Sequence, residues 1–471
     1  MILHNHHFLG WVSVVLFLFF ISQEEMGASA PRLEPHPQIA FLANQPEPMS
    51  LSHRAYAAFL ASGAQNPEKE YQRFMEIHSS LPRFQGSEAE RGEALLEWMH
   101  ENLLSRYVES QTRLDVLLSE GTYNCVSSAV LYLLLADDLV VEGVLTRDHA
   151  FCRVVLSENE GIDVETTTAF GFNPGTKREA IDAFSGRTGF TYVPPGNYRQ
   201  RQRIGEKELI SLILQNRIVA LQDQGEWGAT VGLALDRWTL AQSDLARMDF
   251  ETSLVNYAAW ADRANLREEG LSLLQRGGAL LGESNRLVQA SQALFGNQIT
   301  QYLRSGKIEE AQFFLTQWQS FPSLPFAFVK EQQRGIEERR VDLAIREGVF
   351  EEALRVVDEA YSQEWISQSR WEEAAVYLWS REAKRLSNEE DWEKGWRFLL
   401  RAPVEYQRIS QWERLENVYR GNVIVTLHNA FAEAFQSQNY AKAQQILDSA
   451  RSDFPNESIF LKDEQLLEQI P

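Results

Sequence analysis

The sequence predicts an α+β domain, in which N-terminal helices pack on a small antiparallel sheet, followed by an all-α array of helical hairpins. Two changes in the spacing of apolar residues indicate this fold class. Helical spacing between about Ser52 and Leu135 gives way to β-branched segments between Val140 and Thr168. From about Gly205 the spacing is helical again to the end of the 471-residue chain.

These changes divide the chain into four expected parts: a signal peptide (1–30), an extended leader (31–51), the α+β domain (52–204) and the helical repeats (205–471). Repeated prolines make residues 31–51 typical of an extended segment. A hydrophobic fraction of 44% is enough for a core in each folded part. The net charge of −21 argues against a nucleic-acid partner and against docking on an anionic membrane, since both need a basic surface.

The N-terminus predicts export. Residues 8–22 form an apolar block that is shorter than the ~20 residues a membrane-spanning helix needs. The segment Gly27-Ala28-Ser29-Ala30 is typical of a signal-peptidase site, so we expect cleavage after Ala30 and no stable membrane span afterwards. The alternative is an uncleaved membrane anchor, because neither Lys nor Arg precedes the block. In both cases the protein is expected outside the cytoplasm, in a periplasm or the extracellular space.

A cysteine is predicted at the first turn of a buried helix. Cys125 follows the small and polar segment Gly121-Thr122-Tyr123-Asn124 and precedes an apolar run from Val126 to Leu135. A helix N-terminus carries unpaired N–H groups and a positive dipole end, which favour a thiolate. Cys125 is therefore a candidate nucleophile, and its own N–H is a candidate oxyanion donor, with Tyr123 or Asn124 as a weaker side-chain addition.

Earlier in the chain, Ser87 and Glu90 form a capping-box pattern that predicts the start of a helix. After the cysteine helix, the residues from His149 to Leu156 and from Gly161 to Thr168 predict two strands joined as a hairpin by the turn at 157–161. A glycine- and proline-rich tail follows the second strand, and we expect it to be an ordered loop beside the site.

Histidine and carboxylate residues follow Cys125 in the order that a base and its orienting group would take. His149 is the candidate base, and Asp163 or Glu165 is the candidate orienter. Strand alternation places both carboxylates on the same side and does not choose between them.

The sequence contains only two cysteines, Cys125 and Cys152. A bridge between them is an alternative to a catalytic Cys125, as is a buried, inert thiol. On a strand His149 and Cys152 face opposite sides, so a zinc site is not expected. We expect neither a metal nor a cofactor.

The C-terminal region contains an internal repeat. A turn, a large apolar residue and a small residue recur together, with the small residues at Ala311, Ala353, Gly395 and Ala443. Helical hairpins of this kind cannot bury their faces singly, so the pattern predicts a stacked array.

Residues 121–168 resemble the core of the transglutaminase-like, papain-related superfamily. The matching segments are Tyr123-Asn124-Cys125-Val126-Ser127-Ser128-Ala129, Asp148-His149-Ala150-Phe151 and Asp163-Val164-Glu165-Thr166-Thr167. The resemblance implies a papain/transglutaminase-like α+β fold and a triad of Cys125, His149 and Glu165. The family usually has an aspartate in an Asp-x-Thr setting. Glu165 occupies that position here, with Asp163 two residues earlier.

Residues 297–456 resemble tetratricopeptide-like repeats, which implies an array that binds a protein partner. Together the resemblances imply an exported cysteine-dependent enzyme that transfers acyl groups from a peptide or side-chain amide. Hydrolysis by a peptidase or amidase and transfer to an amine by a transamidase both stay open. The first alternative is a non-catalytic, envelope-associated scaffold that keeps the fold. The second is a redox-responsive structural protein with a Cys125–Cys152 bridge.

Overall fold

A computed structural model describes residues 30–146, 149–174, 201–282, 284–322, 324–387 and 391–470. The chain forms two compact units, Met1–Trp260 with Ala279–Gly282, and Ala261–Gly278 with Glu283–Pro471. The predicted signal peptide, apart from Ala30, and most of the glycine- and proline-rich tail lie outside the described residues. Within the described residues, no helix is both long enough and apolar enough to cross a membrane.

Helices make up most of the first unit. In its described residues they are α1 (Pro37–Ala43), α2 (Leu51–Ser62), α3 (Pro67–Ser79), α4 (Glu88–Asn102), α5 (Leu114–Glu120), α6 (Cys125–Leu135), α7 (Glu206–Asp223), α8 (Trp227–Ala241) and α9 (Asp244–Arg263). The capping box predicted at Ser87 and Glu90 is confirmed, since each side chain bonds the backbone N–H of the other at the start of α4.

The residues described between 106 and 204 also form two small sheets. Strands β1 (Arg106–Tyr107) and β2 (Thr122–Tyr123) pair in parallel. The larger sheet has the order β5-β4-β3-β6 and is antiparallel throughout; its strands are β3 (Val141–Leu145), β4 (Ala150–Val155), β5 (Gly161–Val164) and β6 (Gln202–Ile204). The predicted hairpin corresponds to β4 and β5.

The end of β5 differs from the prediction. The strand stops at Val164 instead of continuing to Thr168, because the backbone folds into a turn at Glu165. The N–H of Glu165 donates to the carbonyl of Gly171 at 2.8 Å, and the N–H of Gly171 donates to the carbonyl of Thr168 at 3.1 Å. The turn moves the side chain of Glu165 out of strand alternation.

Helix α6 lies at the centre of the first unit. Its residues from Val126 to Leu135 are all buried, and it packs against β4, α7, α4 and α2. Burial on every side explains why its sequence is apolar without a polar stripe. The predicted helix with Cys125 at its first turn is thereby confirmed.

The expectation of an extended leader at residues 31–51 is wrong. Proline is well suited to the first helical position, and Pro37 begins α1 there. Helix α1 buries Ile39 and Leu42 and packs against α8. The preceding residues are also fixed, since Arg32 forms an ion pair with Asp236 at 2.6 Å.

The first unit extends beyond the boundary expected at residue 204. Helix α7 packs against α2 and α6. Its residues Leu209, Ile210 and Ile213 are fully buried in the same core as Phe59 of α2. A helix with this much apolar surface stays with the partner that buries it, so α7 and α8 belong to the α+β unit.

The second unit is all-α in its described residues, which confirms the coarse prediction for the C-terminal region. It begins with the last residues of α9, from Ala261, and with α10 (Arg267–Leu281), of which the residues from Ala279 belong to the first unit. Its other described helices are α11 (Asn285–Arg304), α12 (Ile308–Trp318), α13 (Phe326–Glu347), α14 (Phe350–Ser362), α15 (Gln368–Leu386), α16 (Trp392–Leu399), α17 (Val404–Gln407), α18 (Trp412–Gln436), α19 (Tyr440–Asp453) and α20 (Ser458–Glu468).

The small residues of the repeat lie where helices of this unit meet. Ala311, Ala353 and Ala443 are fully buried near the starts of α12, α14 and α19. A β-carbon at Gly395 would overlap the side chain of Ser387 and the backbone of Ala383. Small side chains at these positions therefore allow neighbouring helices to approach closely.

Candidate active site

The backbone around Cys125 is fixed by a reciprocal cap. Asn124 is the N-cap of α6, and its Oδ1 accepts a hydrogen bond from the N–H of Ser127 at 2.9 Å. The hydroxyl of Ser127 accepts in turn from the N–H of Asn124 at 2.9 Å. Cys125 is consequently the first helical residue, and its side chain is only partly buried.

The start of α6 presents backbone N–H groups beside the thiol. Within the described residues, the N–H groups of Cys125 and Val126 have no hydrogen-bond partner. The first N–H groups of a helix have no intrahelical acceptor, and here the cap uses the donor of Ser127. The two free donors lie beside the thiol, where an oxyanion would form during attack on a carbonyl.

The side-chain oxyanion donors suggested by the sequence are engaged elsewhere. The hydroxyl of Tyr123 is buried and donates to the carbonyl of Thr167 at 3.2 Å. The amide nitrogen of Asn124 donates to the carbonyl of Glu109 at 3.0 Å, and its oxygen caps α6. Both side chains shape the loop before Cys125 instead of facing a substrate.

His149 lies between Cys125 and a carboxylate. Its Nε2 is 2.6 Å from Oε2 of Glu165, and its side chain lines the same cavity as that of Cys125, which contributes to raising the pKa of His149. Because Nε2 faces Glu165, Nδ1 is the ring nitrogen left for the thiol. The backbone is held as well, since the N–H and the hydroxyl of Thr146 donate to the carbonyl of His149 at 2.9 and 3.0 Å.

The surroundings of His149 favour its charged form. Burial alone would lower the pKa of the imidazole. The carboxylate of Glu165 and the hydrogen bonds to Cys125 and Glu165 outweigh burial, and the pKa of His149 is raised well above its ordinary value. Stabilisation of the imidazolium suits an imidazole that takes a proton from a thiol and later, as imidazolium, gives it to a leaving group.

Glu165 is buried, with 3% of its surface exposed, and both of its carboxylate oxygens are used. Oε2 faces His149, and Oε1 accepts from the N–H of Thr167 at 3.2 Å and from its hydroxyl at 2.8 Å. The turn after β5 therefore holds the carboxylate in one orientation.

Asp163 has a different environment. It pairs with Arg153 at 3.0 Å, directly across the β4–β5 ladder, and with Arg201 at 2.7 Å. The structure thus brings Cys125, His149 and Glu165 together and places Asp163 in an ion-pair cluster.

The alternative of a Cys125–Cys152 disulfide is wrong, because both cysteines are free thiols. Cys152 is fully buried on β4, and its Sγ donates to the carbonyl of Ala129 at 3.2 Å. Burial raises the pKa of the Cys152 thiol far above its ordinary value. Cys152 is therefore an inert packing residue.

Sequence reasoning missed the cleft around the thiol. A cavity of about 470 Å³ is lined by Cys125 and His149 and by residues of α7, α8 and α9. These helices lie more than 80 residues after the cysteine, and their apolar spacing is that of any packed helix. No local signal assigned them to the site.

The sequence also did not indicate Tyr107. Its ring packs edge-on against Tyr123, with centroids 5.8 Å apart. Burial raises the pKa of Tyr107 well above its ordinary value, and the neighbouring titratable groups, Cys125 first among them, act in the same direction. The strand that carries it, β1, has only two residues and is too short to give a strand pattern.

Among the described residues, no group of three or more His, Cys, Asp or Glu side chains is arranged to hold a metal ion. The site itself combines a thiol, an imidazole, a carboxylate and backbone N–H donors. Neither a protein-family model nor a curated protein sequence matches this chain.

Proposed function

We propose that this protein is an exported, cysteine-dependent acyl-transfer enzyme with a papain/transglutaminase-like α+β domain. Cys125 is the nucleophile, His149 the general base and acid, and Glu165 the residue that orients His149. The observation that carries the proposal is the position of His149, which lines one cavity with Cys125 and is hydrogen-bonded to the buried Glu165.

The proposed reaction begins with attack by Sγ of Cys125 on an amide carbonyl carbon, while the thiol proton passes to Nδ1 of His149. The N–H groups of Cys125 and Val126 donate to the oxyanion. The C–N bond then breaks, the imidazolium gives its proton to the leaving nitrogen, and a thioester to Cys125 remains. Water or an amine attacks the thioester, and its proton passes through His149 back to Cys125.

The role proposed for the helical repeats is to bind a protein partner. The second unit exposes large apolar side chains, including Phe313, Phe326 and Val349, which are 72%, 83% and 68% exposed. Apolar side chains on the surface of a helical array are typical of protein-binding surfaces. We also propose that the repeats are tetratricopeptide-like and that the protein is exported.

Alkylation of the folded, full-length protein tests the proposed chemistry. Iodoacetamide is applied between pH 5 and 9, and mass spectrometry maps the modified residue. We expect rapid labelling of Cys125 at pH 6, where an ordinary thiol with a pKa of about 8.5 is mostly protonated. Cys152→Ala is the matched control and should label at the same rate.

Two other results bear on the proposal. His149→Ala should slow labelling at pH 6, because the imidazole can no longer accept the thiol proton. If Cys125 of the wild type is labelled at pH 6 as slowly as free cysteine, the result would contradict the proposed enzymatic function. It would favour the non-catalytic scaffold instead.

A further inference from the structure

The charged groups at the cleft beside Cys125 include more carboxylates than guanidinium groups. Arg237 is buried, with 1% of its surface exposed, and it contacts two carboxylates. Its Nη2 lies 3.1 Å from Oε1 of Glu208, and its Nη1 forms an ion pair with Asp249. One guanidinium therefore faces two carboxylates, which leaves a net charge of −1.

The member of this group that solvent reaches is a carboxylate. The side chain of Asp249 is 32% exposed and lines the cavity, whereas Glu208 and Arg237 are almost fully buried. Both Nη atoms of Arg237 already face carboxylates, and its Nε, which has no hydrogen-bond partner among the described residues, is buried away from solvent. Electrostatic complementarity favours a cation.

The pKa of Asp249 supports this assignment. Burial raises the pKa of the Asp249 carboxyl, and the nearby Arg237 lowers it by less. The negative charge is therefore incompletely balanced by the protein. A second positive group would offset the cost of burying it.

Part of the cleft wall is apolar, beside the polar side chains of Thr146, Gln202, Gln215 and Asn216. Leu212 and Val219 of α7 and Leu245 and Met248 of α9 line it together with Cys125 and His149. The cavity volume of about 470 Å³ lies in the range of about 300–1,000 Å³ that small-ligand pockets occupy. An apolar wall next to a carboxylate matches a side chain with an aliphatic stem and a charged tip.

We propose that this cleft binds a basic side chain, lysine or arginine, of the acyl-donor substrate, with the aliphatic stem along α7 and α9 and the cationic tip at Asp249. This inference rests on the proposed function, because it supplies the substrate class for the same thiol. Asp249 is a specificity-determining residue, and the charges that act on His149 come from Glu165 and Cys125 instead.

Two affinity labels that differ by one group provide the test. The chloromethyl ketones of Nα-acetyl-lysine and Nα-acetyl-norleucine share an aliphatic stem, but only the first carries an ammonium group. In both reactions Sγ of Cys125 forms a bond to the methylene carbon, chloride leaves, and the thiol proton passes to His149. The second-order rate constant for modification of Cys125 is measured on the full-length protein by mass spectrometry.

We expect the lysine reagent to react on the order of tenfold faster than the norleucine reagent, as for one charge-assisted hydrogen bond. The corresponding glutamate reagent should be slower than both. Asp249→Asn should abolish the lysine preference, since Arg237 keeps its pairing with Glu208. Asp244→Asn is the matched control, because Asp244 is exposed on the same helix and does not line the cavity.

The possible failures are distinguishable. Equal rates with the lysine and norleucine reagents in the wild type, both faster than with free cysteine, would overturn the inference and leave the proposed function intact. A lysine preference that persists in folded Asp249→Asn would also overturn it. If Cys125 reacts with neither reagent faster than free cysteine does, the proposed function and the inference both fail. The wild-type comparison needs no variant, so a poorly folded Asp249→Asn protein does not affect it.

Discussion

Replacing Glu165 with glutamine should reverse the tautomer of His149. Both hydrogen bonds from Thr167 to Glu165 are donated by Thr167, one from its N–H and one from its hydroxyl. In Glu165→Gln these donors select the amide oxygen and leave the NH₂ group facing Nε2 of His149. Nε2 must then accept, so the imidazole proton moves to Nδ1, the nitrogen that faces Cys125. A neutral imidazole that carries its proton on Nδ1 cannot accept the thiol proton at that nitrogen.

The magnitude follows from two losses. A hydrogen bond to a charged group contributes about 1.5–3 kcal/mol, so loss of support for the imidazolium alone costs about ten- to 150-fold in rate. The wrong tautomer adds to this loss, and in a serine triad the corresponding aspartate-to-asparagine change costs about 10⁴ in turnover. We expect Glu165→Gln to lower turnover by about 10³–10⁴ with little change in folding.

Asp163→Asn is the matched comparison, because it makes the same chemical change two residues away. Asp163 is paired with Arg153 and Arg201 and does not contact His149. Its replacement should therefore lower turnover by less than about tenfold, even if it lowers the melting temperature. Both variants are assayed for kcat on one peptide-amide substrate, with circular dichroism as the check on folding. A larger loss of kcat in Asp163→Asn would refute the assignment of Glu165.

Three further outcomes are expected. Cys125→Ala should abolish acyl transfer and keep the melting temperature within a few degrees, since a small residue replaces another at the start of a helix; undiminished turnover would exclude the proposed chemistry. His149 has a raised pKa in the folded protein, so its stabilising effect is present below the ordinary imidazole pKa of about 6.5 and is lost as pH rises through the folded value. Glu165→Gln should accordingly lower the melting temperature more at pH 6 than at pH 9, and an equal decrease at both would contradict this. A fragment that begins at Asn285 should give a cooperative helical melt, whereas a fragment 205–471 should aggregate because it exposes the apolar face of α7; a soluble, cooperative 205–471 fragment would argue against the packing of α7 on α2.

The sequence predicted the features of this fold that local patterns encode. The cysteine helix was predictable because small polar residues precede an uninterrupted apolar run. The small residues of the repeats were predictable because each recurs beside a turn and a large apolar residue. Both are patterns within about 15 residues, where spacing alone specifies which side chains are buried.

Pairings over long sequence separations were not predictable in this way. Arg32 and Asp236 are 204 residues apart, and nothing near either residue indicates the other. Helix α7 has the apolar content of a repeat helix, yet it is buried against α2. Apolar content predicts that a helix is buried but does not identify its partner, so the boundary was expected too early and the cleft wall was missed.

The two carboxylates near the end of β5 show how strand geometry separates chemical roles. Asp163 still lies within the strand, where the ladder places it opposite Arg153, and its charge is balanced by two guanidinium groups. Glu165 lies one residue beyond the strand, where the turn aims its side chain at His149 and Thr167 supplies only neutral donors. Within the part of the chain that the structure describes, its charge is therefore not paired with Arg or Lys and remains available to stabilise an imidazolium. Strand alternation places both residues on one side, so only the point at which the strand ends distinguishes an ion-pair residue from a residue that can orient a catalytic base.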